Sequence, residues 1–121
     1  MSTKLIDAVR AGNEAECKRL LKLKDTDIHE TDGDLYDTNR SAIIWASNEG
    51  RMKIINLLVS KGANINDRAN DGLSSIIAAS REGHVSVVEL LLSKGANIND
   101  KSNDGLLYGI LSHGFSLGLF V

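Results

Sequence analysis

The sequence contains no proline. Proline is the residue best suited to the first helical position, so any helices must start by other means. There is a single cysteine, Cys17, which excludes an internal disulfide. A lone thiol suits a reducing compartment, and a cytoplasmic location is expected. Aromatic residues make up only 4% of the chain, so a core must be mainly aliphatic. Charge of one sign is also missing. The 14 basic and 16 acidic residues are interleaved and leave a net charge of −2. That balance supplies no basic face for nucleic acid, which is excluded as a partner. No apolar stretch reaches the ~20 residues that a spanning helix needs, so a membrane is not an expected partner either. Met1-Ser2-Thr3-Lys4 runs directly into a charged amphipathic stretch and lacks the apolar centre of a signal peptide.

What the chain does have is a repeat. Ser60-Lys61-Gly62-Ala63-Asn64-Ile65-Asn66-Asp67 returns unchanged as Ser93-Lys94-Gly95-Ala96-Asn97-Ile98-Asn99-Asp100, 33 residues later. Ala46 and Ala79, Glu49-Gly50 and Glu82-Gly83, Leu57-Leu58 and Leu90-Leu91, and Gly72 and Gly105 are related by the same step. A fixed period of this length means that one supersecondary unit is stacked on copies of itself.

The units share one internal order. A turn comes first, at Thr38-Asn39 and again at Asp71-Gly72, where Asn and Gly both tolerate positive φ. Ser41 and Ser74 then stand where a helix needs an N-cap, ahead of Ile43-Ile44 and Ile76-Ile77. The short helix ends at Gly50 or Gly83. A longer one carries Met52, Ile54, Ile55, Leu57, Leu58 and Val59, or Val85, Val87, Val88, Leu90, Leu91 and Leu92, and ends at Gly62 or Gly95. Upstream, Leu5, Ile6, Ala8 and Val9 form one apolar stripe. Gly12 interrupts it, and Cys17, Leu20, Leu21 and Leu23 form a second. Residues 25–34 read as an acidic connecting loop a few residues longer than its later counterparts. No helix in this series is long enough to hold alone in water, so the units must bury one another's faces.

The period and the order of glycines resemble the ankyrin repeat, from Lys4 to about Gly105. The most specific matches are Ser-Lys-Gly-Ala-Asn-Ile-Asn-Asp and the Ala-Ser-x-Glu-Gly before each longer helix. The family's usual helix opening is Thr-Pro-Leu-His. Here it reads Ser41-Ala42-Ile43-Ile44 and Ser74-Ser75-Ile76-Ile77, without the Pro and the His, and stability near the family's lower end is expected. The resemblance implies an all-α solenoid of stacked helix–turn–helix units joined by β-turn loops. Residues 1–34 would form an N-terminal capping repeat, 35–67 and 68–100 two repeats, and 101–121 a partial, irregular one.

The same resemblance implies a non-catalytic module that binds another protein through its concave face. The contact positions it assigns are Asp37, Thr38, Arg40, Asn48 and Glu49, then Asn70, Asp71, Leu73, Arg81 and Glu82, continued by Asn103 and Asp104. Trp45, the only tryptophan, falls on the same face. It reads equally as core packing and as an interface anchor, since Trp is enriched at binding hot spots. The alternatives are a structural spacer from a longer array and a protein that associates with itself or a membrane through residues 106–121, which carry no charged side chain.

No chemistry-bearing constellation competes with binding. Cys17 occupies the apolar position of Ile55 and Val88 and reads as a core thiol rather than a nucleophile. One Cys and three scattered His are not a zinc site. Asp32-Gly33-Asp34 begins like a calcium loop but lacks the ligand spacing and final Glu. Glu14 and Glu16 read as a solvated helix face. Neither an enzyme nor a cofactor is expected. Asn66 and Asn99 stand where ankyrin repeats can be hydroxylated, but structural hydrogen bonding is the better-supported role.

Overall fold

The computed structural model describes residues 4–32 and 39–97. Six helices lie in these residues: α1 (Lys4–Ala11), α2 (Glu14–Leu21), α3 (Ala42–Asn48), α4 (Met52–Ser60), α5 (Ser75–Arg81) and α6 (Val85–Ser93). Among the described residues there is no strand, only two isolated antiparallel bridges, Thr31 to Ser41 and Arg68 to Ser74. The order and breaks are those expected from the repeat, with the first pair separated at Gly12.

Each helix has seven to nine residues. Such lengths are marginal in isolation, and their stability must come from packing. Helices pair within a unit, α1 with α2, α3 with α4 and α5 with α6. The first helices also stack on one another, α1 on α3 on α5, as do the second helices, α2 on α4 on α6. The first-helix row is the more closely packed of the two. One aliphatic core runs through the array. Ile43, Ile44, Ile54, Ile55, Leu58, Ile76, Ile77 and Leu91 are its largest fully buried members outside α1. Cys17 is completely buried among them, and that burial pushes its thiol above the ordinary range.

The turns follow the backbone expectation. Asn39 and Gly72, one period apart, have φ of 53° and 84°. The longer first connection is also present. Its bridge encloses residues 32–40, whereas the next encloses only 69–73.

Two local expectations are corrected. Ser74 caps α5 by accepting a hydrogen bond from the Ile77 amide at 3.3 Å. Ser41 stands at the same point of α3 with extended backbone, but its buried hydroxyl makes no cap bond and meets no partner among the described residues. Leu23 does not extend the apolar stripe of α2. The helix ends at Leu21, and Leu23 lies in the following bend, 49% exposed. The N-terminal cap of α2 is supplied instead by Asn13, whose side chain accepts from the Glu16 amide at 3.1 Å. Glu16 in turn forms a fork with Arg19, at 2.7 and 2.8 Å, on the outer face. That bond holds the Glu16 carboxyl below its usual value.

Candidate protein-binding surface

The helix ends along the first-helix row are tied unit to unit. His84 precedes α6, and its Nε2 lies 3.0 Å from the Asn48 carbonyl at the end of α3. A carbonyl only accepts, so Nε2 carries the proton. Arg51, one period earlier, does the same work with a different group. Its Nη2 donates to the Arg10 carbonyl at the end of α1, at 3.2 Å. The glycines beneath these side chains admit the contact. A Cβ at Gly50 would stand 2.9 Å from the His84 ring. These ties align Gly12 with Gly50, and so Arg10 with Asn48 and Arg81.

Trp45 organises the exposed side of the row. It is half-buried, and its indole N–H donates to the Asp32 carboxylate at 2.9 Å. The other oxygen of Asp32 accepts the Arg40 amide at 3.0 Å. The Arg10 guanidinium lies over the indole, 4.2 Å from the ring centroid, and that of Arg40 lies 5.4 Å from it. Both separations are within cation–π range. Arg40 continues to the third unit through a 3.4 Å ion pair with Asp71. The cluster therefore joins α1, the first connection, α3 and the second turn.

Of the positions expected from sequence, Arg40, Trp45 and Asp71 meet in this cluster. Asn48 and Glu49 sit beside each other at the end of α3, half-buried, with the Asn48 amide donating to the Glu49 carboxylate at 3.2 Å. Arg81 and Glu82 are exposed at the end of α5, and Asn70 is exposed at the turn tip. Leu73 is corrected. It is only 4% exposed and belongs to the core. The five-residue turn folds back on itself, with the Leu73 amide donating to Asp71 and its carbonyl accepting from Ala69, and this turns the side chain inward. Asp37, Thr38, Asn103, Asp104, Asn99 and residues 106–121 lie outside the described residues.

Sequence reasoning missed Arg10 and Asp32. The signal for Arg10 was faint: it stands two residues before Gly12, as Asn48 stands before Gly50, but off the 33-residue step. Asp32 had none, because its counterpart by the bridge alignment is Ala69, a core residue. Both of its carboxylate oxygens are engaged, one by the Trp45 indole and the other by the Arg40 amide.

Asn66 has the structural role expected of it. Its side-chain oxygen accepts the Asn97 amide at 3.0 Å, and its amide group donates to the Gly95 carbonyl at 3.4 Å, stapling one unit's outgoing segment to the next. The equivalent residue one unit earlier is His29. Both close the same local turn, in which the Asp27 or Asn64 side chain accepts the amide two residues on, at 2.9 and 3.0 Å. Both also stand two residues before a bridge residue. His29 makes no corresponding staple. An open groove of about 550 Å³ separates the two segments there, lined by His29, Thr31, Asn39, Asn64, Asp67, Arg68 and Asn70.

Among the described residues no group of His, Cys, Asp and Glu is placed to hold a metal ion, and no helix is long and apolar enough to cross a membrane. Comparison with curated proteins returns no match. The family model for ankyrin repeats, in three copies, matches residues 5–102. That match spans most of the chain, and ankyrin repeats are in general protein–protein interaction modules, typically without catalytic activity. The helix pairs, the left-handed turns and the inter-unit ties are the structural form of that match, and the chain belongs to the ankyrin repeat family.

Proposed function

We propose that this chain is a non-catalytic adaptor that binds a partner protein through the side formed by its first helices and turn tips. The observation that carries the reading is the cluster around Trp45. A half-buried indole is held at the surface by Asp32 and flanked by Arg10 and Arg40, and the network crosses from the first unit to the third. Such a network fixes its side chains before a partner arrives, which lowers the ordering cost of association. Trp and Arg are also the residue types most enriched at interface hot spots. Asn48, Glu49, Arg81 and Glu82 extend the surface along the helix ends, with both signs of charge. We extend the proposal to a cytoplasmic setting, which the single unpaired cysteine supports.

Photo-crosslinking capture with the wild-type chain and with variants tests it. Trp45→Ala, and the pair Arg81→Ala with Glu82→Ala, should each reduce capture of a specific protein while circular dichroism stays helical. Lys53→Ala and Glu89→Ala, on the second helices and exposed, should leave capture unchanged. Equal losses in both groups would place the contact elsewhere and overturn the reading.

A further inference from the structure

The Trp45 cluster holds two guanidinium groups and uses them differently. Arg40 is engaged, since its side chain pairs with Asp71 and its backbone amide with Asp32. Arg10 is exposed and stacked at 4.2 Å on the indole, and its side chain makes no ion pair among the described residues. Asp32, the nearest acid tied to the ring, has one oxygen on the indole N–H and the other on the Arg40 amide.

A guanidinium lying on an aromatic face keeps its in-plane N–H donors pointing away from the ring edge, where they remain free to bind. Stacking also removes much of the rotamer freedom that a long side chain would lose on binding. The planar fork matches a carboxylate, which it can hold through two parallel charge-assisted bonds. Among the described residues the acids tied to this cluster, Asp32 and Asp71, are already engaged, so the ligand that completes Arg10 brings its own negative charge.

We propose that Arg10, oriented by Trp45, is the receptor for a carboxylate side chain on an acidic peptide segment of the partner protein. The proposal rests on the binding role given above and names the chemistry of the partner at one point of that surface.

The test uses the full chain and three capped peptides, hexaglutamate, hexaglutamine and hexalysine, at low ionic strength. Trp45 is the only tryptophan, so its emission reports directly on the site. Hexaglutamate should change the emission saturably, and the two other peptides should not. Arg10→Gln should weaken hexaglutamate binding roughly tenfold, the loss expected for one charged hydrogen-bonded contact. Arg10→Lys should keep the charge but recover only part of the affinity, because an ammonium lacks the fork. The Arg10 side-chain Nε–H resonance should shift with hexaglutamate in the wild type, a readout that does not depend on any variant folding.

Unchanged emission and an unshifted Arg10 resonance at millimolar hexaglutamate would overturn the proposal. So would equal binding by Arg10→Gln and wild type, or equal responses to hexaglutamate and hexaglutamine. Arg10-dependent self-association in sedimentation velocity would also overturn it, by making a second copy the occupant. Failure here with Trp45-dependent capture intact would remove only the acidic ligand. Loss of Trp45 dependence in capture would remove the wider reading.

Discussion

Asn66 and His29 stand at the same point of successive units, and exchanging their chemistry measures what the inter-unit staple contributes. Asn66 makes two side-chain bonds to the next unit, one at 3.0 Å and a longer one at 3.4 Å. Each neutral bond contributes about 0.5–1.5 kcal/mol net, and the longer one belongs at the bottom of that range. The residue is exposed, so water replaces part of what is lost. Asn66→Ala should therefore destabilise by about 1–1.5 kcal/mol. His29→Ala removes no staple and should change stability by less than about 0.5 kcal/mol, as for an ordinary surface substitution. His29→Asn supplies the missing group opposite the Gly62 carbonyl and the Asn64 amide, the counterparts of the groups that Asn66 binds. It should stabilise by about 0.5–1 kcal/mol, since an added bond must also order its side chain. Urea unfolding followed at 222 nm, analysed at constant slope, gives all three values. Equal losses for Asn66→Ala and His29→Ala would refute the equivalence drawn from the two turns. No gain from His29→Asn, with Asn66→Ala behaving as expected, would show that backbone spacing sets the width of the 550 Å³ groove, not the side chain beside it.

Three further outcomes are expected. Leu58 is fully buried on α4, between α2 and α6, so Leu58→Ala should destabilise by about 3–4 kcal/mol in the same titration, and a loss below about 1 kcal/mol would deny the burial. Gly95 has φ of 99° with open space where a Cβ would go, so Gly95→Ala should lose about 1–2 kcal/mol from backbone strain alone, and a raised Tm would contradict that conformation. Burial, with Asp27 and Asp7 nearby, pushes the Glu30 carboxyl above its usual 4.5. A carboxyl raised on folding penalises the folded state once ionised, at pH above its folded value, and the penalty disappears as the group protonates. Glu30→Gln should therefore raise stability at pH 7, with the difference shrinking as pH falls through the carboxylate range, and a constant difference between pH 7 and pH 3 would refute that cause.

The repeat itself was legible because backbone geometry is written in particular residues. Gly62 and Gly95 sit at φ of 98° and 99°, and Asn39 and Gly72 share the left-handed turn. Ile54, Ile55 and Leu58 recur as Val87, Val88 and Leu91 because each unit presents the same face to its neighbours. A period in residue type is a period in environment, so the sequence determined helix order, turn positions and core faces without reference to distant contacts. It could not show where the environment changes while the period holds. Arg40 and Leu73 are one step apart, yet the Arg40 side chain is 26% exposed and joins an ion pair, while Leu73 is buried. The same blindness hid Arg10 and His29. The longer first connection shifts their alignment off the 33-residue step, so their partners emerge only when the bridges and helix-end ties are in view. The Trp45 network needed three units brought together, since Arg10, Asp32, Trp45 and Asp71 are far apart along the chain and share no local pattern. Local propensity therefore set the elements, and the packing of one unit on the next decided which side chains meet. The candidate binding surface is a property of that stacking.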